Sequence, residues 1–130
     1  MKKLLFLFSI IVLYSCKNTA ITSKQNLSEK SLPAENICRF NVSFISIGSG
    51  TDKNARKLFL DFINDYEVKN SKKLVVDVVP WGREGEVDYC FKLAELKVDD
   101  QNRFILNIKE LLKQSKLVRY SEDSPIRKNK

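Results

Sequence analysis

Histidine is absent from the 130 residues. That absence removes the side chain whose proton exchange lies nearest neutral pH, and with it the commonest transition-metal ligand. Ser-His-Asp triads, HExxH sites and histidine-containing zinc fingers cannot be built from this chain. Cysteine is scarce, at three residues, and no two stand in a CxxC spacing, which argues against a thiol redox centre. No apolar run approaches the roughly 20 residues that cross a bilayer as a helix. What remains is ordinary for a globular protein, with 43% hydrophobic and 30% charged residues. The length suits one domain and no second. The formal charge is +7, and removing Lys2 and Lys3 leaves 21 basic against 16 acidic side chains, a net +5. A mildly basic balance suits anionic lipid headgroups, polyanionic surface polymers, nucleic acid or an acidic protein, and does not choose among them.

Residues 1–15 read MKKLLFLFSIIVLYS, two lysines followed by an apolar run from Leu4 to Tyr14 broken only by Ser9. The layout is that of a secretory signal peptide, with an apolar segment inside the expected range of about 7–15 residues. Leu13-Tyr14-Ser15-Cys16 follows directly, and it resembles the lipobox of bacterial lipoproteins. An aliphatic residue stands three before the cysteine and a small one immediately before it; Tyr14 is bulkier than the usual occupant of its position. The resemblance implies that the Cys16 thiol receives a diacylglyceryl group and that Cys16 becomes the first residue of the mature protein. Two or more acyl chains hold a protein stably at a membrane, at about 0.8 kcal/mol per buried CH₂. The resemblance implies a location in the bacterial envelope, with the outer membrane favoured; Lys17 follows the anchor, at a position whose sorting rules differ among bacteria.

After the anchor, residues 17–36 (KNTAITSKQNLSEKSLPAEN) are rich in Ser, Thr, Asn and Lys and read as a flexible linker. Twenty such residues span about 25 Å root-mean-square and about 70 Å when extended. A domain is expected over residues 37–121 and a frayed polar tail over 122–130. Within the domain, Cys38 to Ile47 alternates as a strand with Phe40, Val42 and Phe44 on one face. Thr51 or Asp52 is placed to cap a helix carrying Ala55, Leu58, Phe59, Phe62, Ile63 and Tyr66 on one stripe. The β-branched run from Leu74 to Val79 and the run from Val87 to Leu93 read as a hairpin. Asp99 or Asp100 is placed to cap a second helix with Phe104, Ile105, Ile108, Leu111 and Leu112 inward. Leu117 to Tyr120 supplies a short last strand. The order βαββαβ is that of the ferredoxin-like (split βαβ) α+β fold, an antiparallel sheet with two helices on one face. Without the last strand, a three-stranded βαββα arrangement would remain.

Four constellations are candidates for chemistry or binding. Cys38 and Cys90 suit a disulfide in an oxidising compartment, but strand parity sets Cys38 with Phe40 and Val42 while Cys90 falls opposite Tyr89 and Phe91. A shift at the strand start restores the pairing; otherwise two free thiols result. The turn IGSGTD has the glycines of a phosphate-cradling loop but lacks both the GxGxxG spacing and the P-loop lysine, which leaves a plain strand-to-helix connection as the simpler reading. PWGREGE, residues 80–86, places Trp81, Arg83, Glu84 and Glu86 on a short hairpin loop, residue types suited to partner recognition. The alternative is that Trp81 folds over an edge of the core. Glu84, Glu86 and Asp88 alternate onto one strand face and open an acid-pair or calcium reading, though no second acid, nucleophile or calcium-loop pattern accompanies them.

The same element order underlies the RRM, yet the basic-Gly-aromatic pattern of its central strands is missing and an exported protein is in the wrong compartment, so no nucleic-acid partner is expected. No cofactor and no metal are expected. The function this reading favours is a membrane-anchored interaction module for an envelope protein or surface polymer. An enzyme or enzyme subunit, and a structural or stress-linked envelope protein, are the alternatives.

Overall fold

The structure is a computed structural model that describes residues 36–128. The leader, the lipobox with Cys16 and the linker up to residue 35 lie outside the described residues.

Alternating apolar residues form β1 (Ile37–Phe44), whose Phe40, Val42 and Phe44 are fully buried. The first helix, α1 (Lys53–Asn70), begins where the Asp52 carboxylate accepts the Ala55 N–H at 2.9 Å. It ends at Ser71, which takes a left-handed conformation at φ 48°. The hairpin comprises β2 (Val76–Pro80) and β3 (Val87–Phe91). The second helix, α2 (Val98–Leu111), has Lys97 at its N-cap, so Asp99 and Asp100 sit within its first turn and are not its caps. There they still favour the helix by facing the positive end of its dipole. The last strand is β4 (Val118–Pro125). The four strands form one antiparallel sheet in the order β2-β3-β1-β4. This is the ferredoxin-like split βαβ arrangement.

The core lies between sheet and helices. Phe59 of α1 meets Phe44, Tyr89 and Phe91 with ring centroids 5.5, 4.9 and 6.0 Å away. Phe104 of α2 meets Phe91 at 5.4 Å and Tyr66 at 4.9 Å. Of the expected stripe of α2, Phe104, Ile105 and Ile108 are buried, Leu111 is half-buried and Leu112 is buried just past the helix end, while the stripe of α1 is narrower than its spacing suggests. Leu58 is 52% exposed, because the sheet covers only the arc centred on Ala55 and Phe59.

The tail departs from expectation. Residues 122–125 are not frayed but continue β4, and the Ile126 N–H extends the pairing to the Asn36 carbonyl at 2.8 Å. The segment is polar because it is an edge strand, where charged side chains discourage further pairing. Glu122 is held by Lys109 at 2.7 Å and Arg39 at 3.0 Å. Those two cations, Lys109 first, keep its carboxyl below the usual carboxylate range.

Cys38 and Cys90 form a disulfide, with Cα atoms 5.3 Å apart. The parity objection fails because alternation breaks at the start of β1. Arg39 and Asp123 drop out of the ladder between Cys38↔Ser124 and Phe40↔Glu122, and Asp123 has a left-handed φ of 47°. Ser121 and Ser124, the partners of Asn41 and Cys38, touch through their hydroxyls at 2.8 Å. Cys38 therefore shares the helix-free face with Asn41, the residue that Cys90 pairs with.

Asp52 carries a prediction. Its carboxyl lies below the ordinary value of 3.8, through the Ala55 N–H and then the Ser115 hydroxyl. A depressed folded value stabilises the fold above the unfolded value, and that contribution is lost as pH falls through the folded one. Asp52→Ala is expected to cost about 1 kcal/mol at neutral pH. Urea titrations at several pH values should show the gap to wild type narrowing below the unfolded value of 3.8.

Candidate functional site

The PWGREGE loop closes on itself before it meets anything else. The Trp81 N–H donates to the Glu86 carbonyl at 3.1 Å, and the Glu86 carboxylate turns back to accept the Glu84 N–H at 2.8 Å. Gly82 lies so close to that carboxylate that a Cβ there would overlap it, and Gly85 turns the chain at φ 89°. Arg83 is exposed at the loop tip. The Glu84 carboxylate crosses to the β1–α1 turn, where it bonds the Ser46 hydroxyl and accepts the Gly50 N–H at 3.3 Å. These contacts, the hydroxyl first, hold its carboxyl below the usual range. Ser46 in turn accepts the N–H groups of Gly48 and Gly50 at 3.1 and 3.0 Å. The glycine turn thus has its amides engaged by the protein's own oxygens, as befits a plain connection.

Beside this loop stands a three-residue contact that spans the sheet. Asp88 on β3 is only 5% exposed. One of its carboxylate oxygens accepts the Trp81 indole N–H at 2.8 Å, and the other accepts the Arg127 Nε–H at 2.8 Å. The Arg127 guanidinium also lies over the indole, 4.2 Å from the ring centroid. A cation above an aromatic face and a buried carboxylate bonded to both partners stabilise each other. Trp81 is neither swallowed by the core nor free: 39% of it is exposed, with one face under Arg127. Asp88→Ala would leave the indole N–H without its acceptor and Arg127 without its ion pair, at an expected cost of about 2 kcal/mol. Because Trp81 is the sole tryptophan, its emission should shift to the red as the ring is freed, and an unshifted spectrum would contradict the contact.

Glu84, Glu86 and Asp88 are not gathered on one face. Each carboxylate goes to a different partner, the glycine turn, the loop's own backbone and the Trp81–Arg127 pair respectively. Their alternation is broken because Glu84 and Glu86 belong to the turn and only Asp88 lies in β3. Among the described residues no three Cys, Asp or Glu side chains gather as a metal site would require. A groove between α1 and α2, about 430 Å³ in volume, holds Asp65 and Asp100 together with Lys69 and Arg103. Asp100 is paired with Arg103 there. Burial raises the Tyr66 hydroxyl above its ordinary value.

Arg127 carries no signal in the sequence, whose polar composition there predicts a frayed tail. Its neighbours offered no periodic signal, and the one hint was the odd parity of an acid, Asp88, within a strand of buried residues. Comparison of the chain with protein-family profiles, with curated proteins and with solved structures finds no match. Among the described residues no helix is long and apolar enough to cross a membrane.

Proposed function

We propose that this protein is a lipid-anchored lipoprotein of the bacterial envelope whose folded domain serves as a small interaction module. The anchor rests on one observation, the placement of Cys16 directly after Leu13-Tyr14-Ser15 at the end of a short apolar run. The polar linker that follows gives the domain reach from the membrane surface. The interaction role is supported by the loop end, where half-exposed Trp81 is held in one orientation and Arg83, two residues on, is exposed. Trp and Arg are the side chains most enriched where binding energy concentrates, and an aromatic ring already held in place gives up little further freedom on binding. Ile47, 79% exposed on the adjoining β1–α1 turn, adds apolar area at the same end.

Mass spectrometry of the N-terminal peptide tests the anchor. The wild-type peptide is expected to begin at Cys16, to carry a diacylglyceryl mass and to partition into detergent, whereas Cys16→Ala is expected in the aqueous phase without that mass. A wild-type protein that is aqueous, unmodified and processed elsewhere would overturn the proposal.

A further inference from the structure

The two outer strands of the sheet are unlike. β4 carries Arg119, Glu122 and Asp123, and its ladder is broken at Asp123, features that discourage a further strand. β2 is the outer strand at the other side. Its one charge, Asp77, is ion-paired with Lys92 of the same chain at 3.9 Å. Val78 is half exposed, and so is Val75 just before the strand. An apolar outer strand with no bulge and no free charge is a template for another strand.

The backbone groups it offers follow from the pairing with β3. The Trp81 N–H bonds the Glu86 carbonyl, so by the alternation of an antiparallel ladder Val79 and Asp77 are bonded to Asp88 and Cys90. Val76, Val78 and Pro80 therefore turn their backbone groups outward. The N–H of Leu74, next in that series, is already taken by the Glu67 carboxylate at 2.8 Å. Pro80 has no N–H. Between Val76 and Pro80 the edge thus offers two donors, at Val76 and Val78, and three acceptors.

Helix α1 adds apolar surface alongside. Its Phe62, Asp65 and Lys69 line the groove with α2. Arg56, Leu60, Ile63 and Glu67 recur at helical spacing on another stripe. The ends of that stripe reach the Tyr89 hydroxyl of β3 at 2.9 Å and the Leu74 N–H. Leu60, on the β2 side of the helix, is nearly half exposed.

We infer that β2 pairs antiparallel with β2 of a second copy of this chain, joining the two four-stranded sheets. The segment is complementary to itself when Val78 stands opposite Val78 of the second copy. The two Val78 N–H groups then donate to each other's carbonyls, and each Val76 N–H donates to the Pro80 carbonyl of the other copy. Both outward donors are used, and the proline stands where an acceptor is needed. Charge fixes this register. Centring the pair on Asp77 makes as many bonds but sets two carboxylates directly opposite, which destabilises a sheet. Centred on Val78, each Asp77 faces Val79 instead and keeps Lys92. The occupant must be apolar opposite Val78, where no counter-charge is present, and β2 itself meets that condition while the charged β4 does not. The contact is isologous and uses both β2 edges, so assembly closes at two copies. The inference goes beyond the proposed function, since Arg83 and the loop tip lie outside the paired residues.

Sedimentation of the full-length protein in density-matched detergent, across about a hundredfold range of concentration, reads the assembly. A monomer–dimer equilibrium in the micromolar range is expected. Val78→Lys places two like charges opposite each other and is expected to weaken the dimer at least about tenfold. Val98→Lys, at an exposed valine of α2, is expected to leave it unchanged. The register has its own readout. Facing residues of a hydrogen-bonded pair have Cα atoms about 5.5 Å apart, within disulfide reach. Val78→Cys is therefore expected to link two copies on oxidation, in vitro and in intact cells, whereas Val76→Cys, which faces Pro80, is not. A protein monomeric throughout, a dimer that Val78→Lys does not weaken, or equal linking from positions 76 and 78 would overturn the inference. So would a Val78→Cys adduct in cells of a mass other than two copies, which would give the edge to another chain. None of these results bears on lipidation of Cys16 or on partners of the loop tip.

Discussion

Serine at both Cys38 and Cys90 is expected to lower the unfolding free energy by about 4 kcal/mol, the chain-entropy value for a closed loop of this length. The two cysteines are 52 residues apart in sequence, and both are almost fully buried. The bridge ties the start of β1 to β3 where their ladder does not reach, since that pairing runs only from Phe40 to Phe44. For a small domain with a total stability of about 5–15 kcal/mol, the loss is a large share. Urea unfolding of the oxidised protein, the reduced protein and the double serine variant measures it. A reduced protein within about 1 kcal/mol of the oxidised one would show that the bridge does not constrain the unfolded chain in this way.

The second large effect lies in the aromatic core. Phe59→Ala is expected to cost about 4 kcal/mol, because the ring is fully buried and three other rings would face the cavity it leaves. Leu58→Ala, one residue away on the same helix, is expected to change stability by no more than about 0.5 kcal/mol, since that side chain is half exposed. Thermal or urea unfolding of the two variants separates these expectations. Equal losses would mean that α1 is rotated about its axis from the orientation described here.

What the sequence revealed and what it hid divide along physical lines. Hydrophobic periodicity is strong where one face is buried, so β1, α1, the hairpin and α2 are legible, and their order specifies the ferredoxin-like sheet. The signal weakens where both faces meet solvent. The second half of β4 reads as tail because residues 122–125 carry no apolar alternation, and only the pairing with β1 makes them a strand. The cap of α1 is the expected Asp52, whereas Lys97 begins α2 without a side-chain bond, a choice no capping preference points to. The Cys38–Cys90 bridge was legible as a candidate and opposed by parity, since a local break in alternation leaves no mark in residue type. The candidate site divides in the same way. Trp81, Arg83 and Glu84 stand out by composition within a short loop. Asp88 and Arg127 find each other only through the folded sheet, 39 residues apart in sequence.

The central claim, that an anchored domain engages an envelope partner through its Trp81 end, meets its most direct test in cells. A photo-reactive amino acid at Arg83 leaves the Trp81–Asp88–Arg127 contact intact and samples the loop tip, while the same group at Lys57 on the exposed side of α1 serves as control. The account predicts one dominant adduct in the envelope fraction from position 83, absent from position 57 and lost when Cys16→Ala removes the anchor. Adducts no stronger at 83 than at 57 would contradict it.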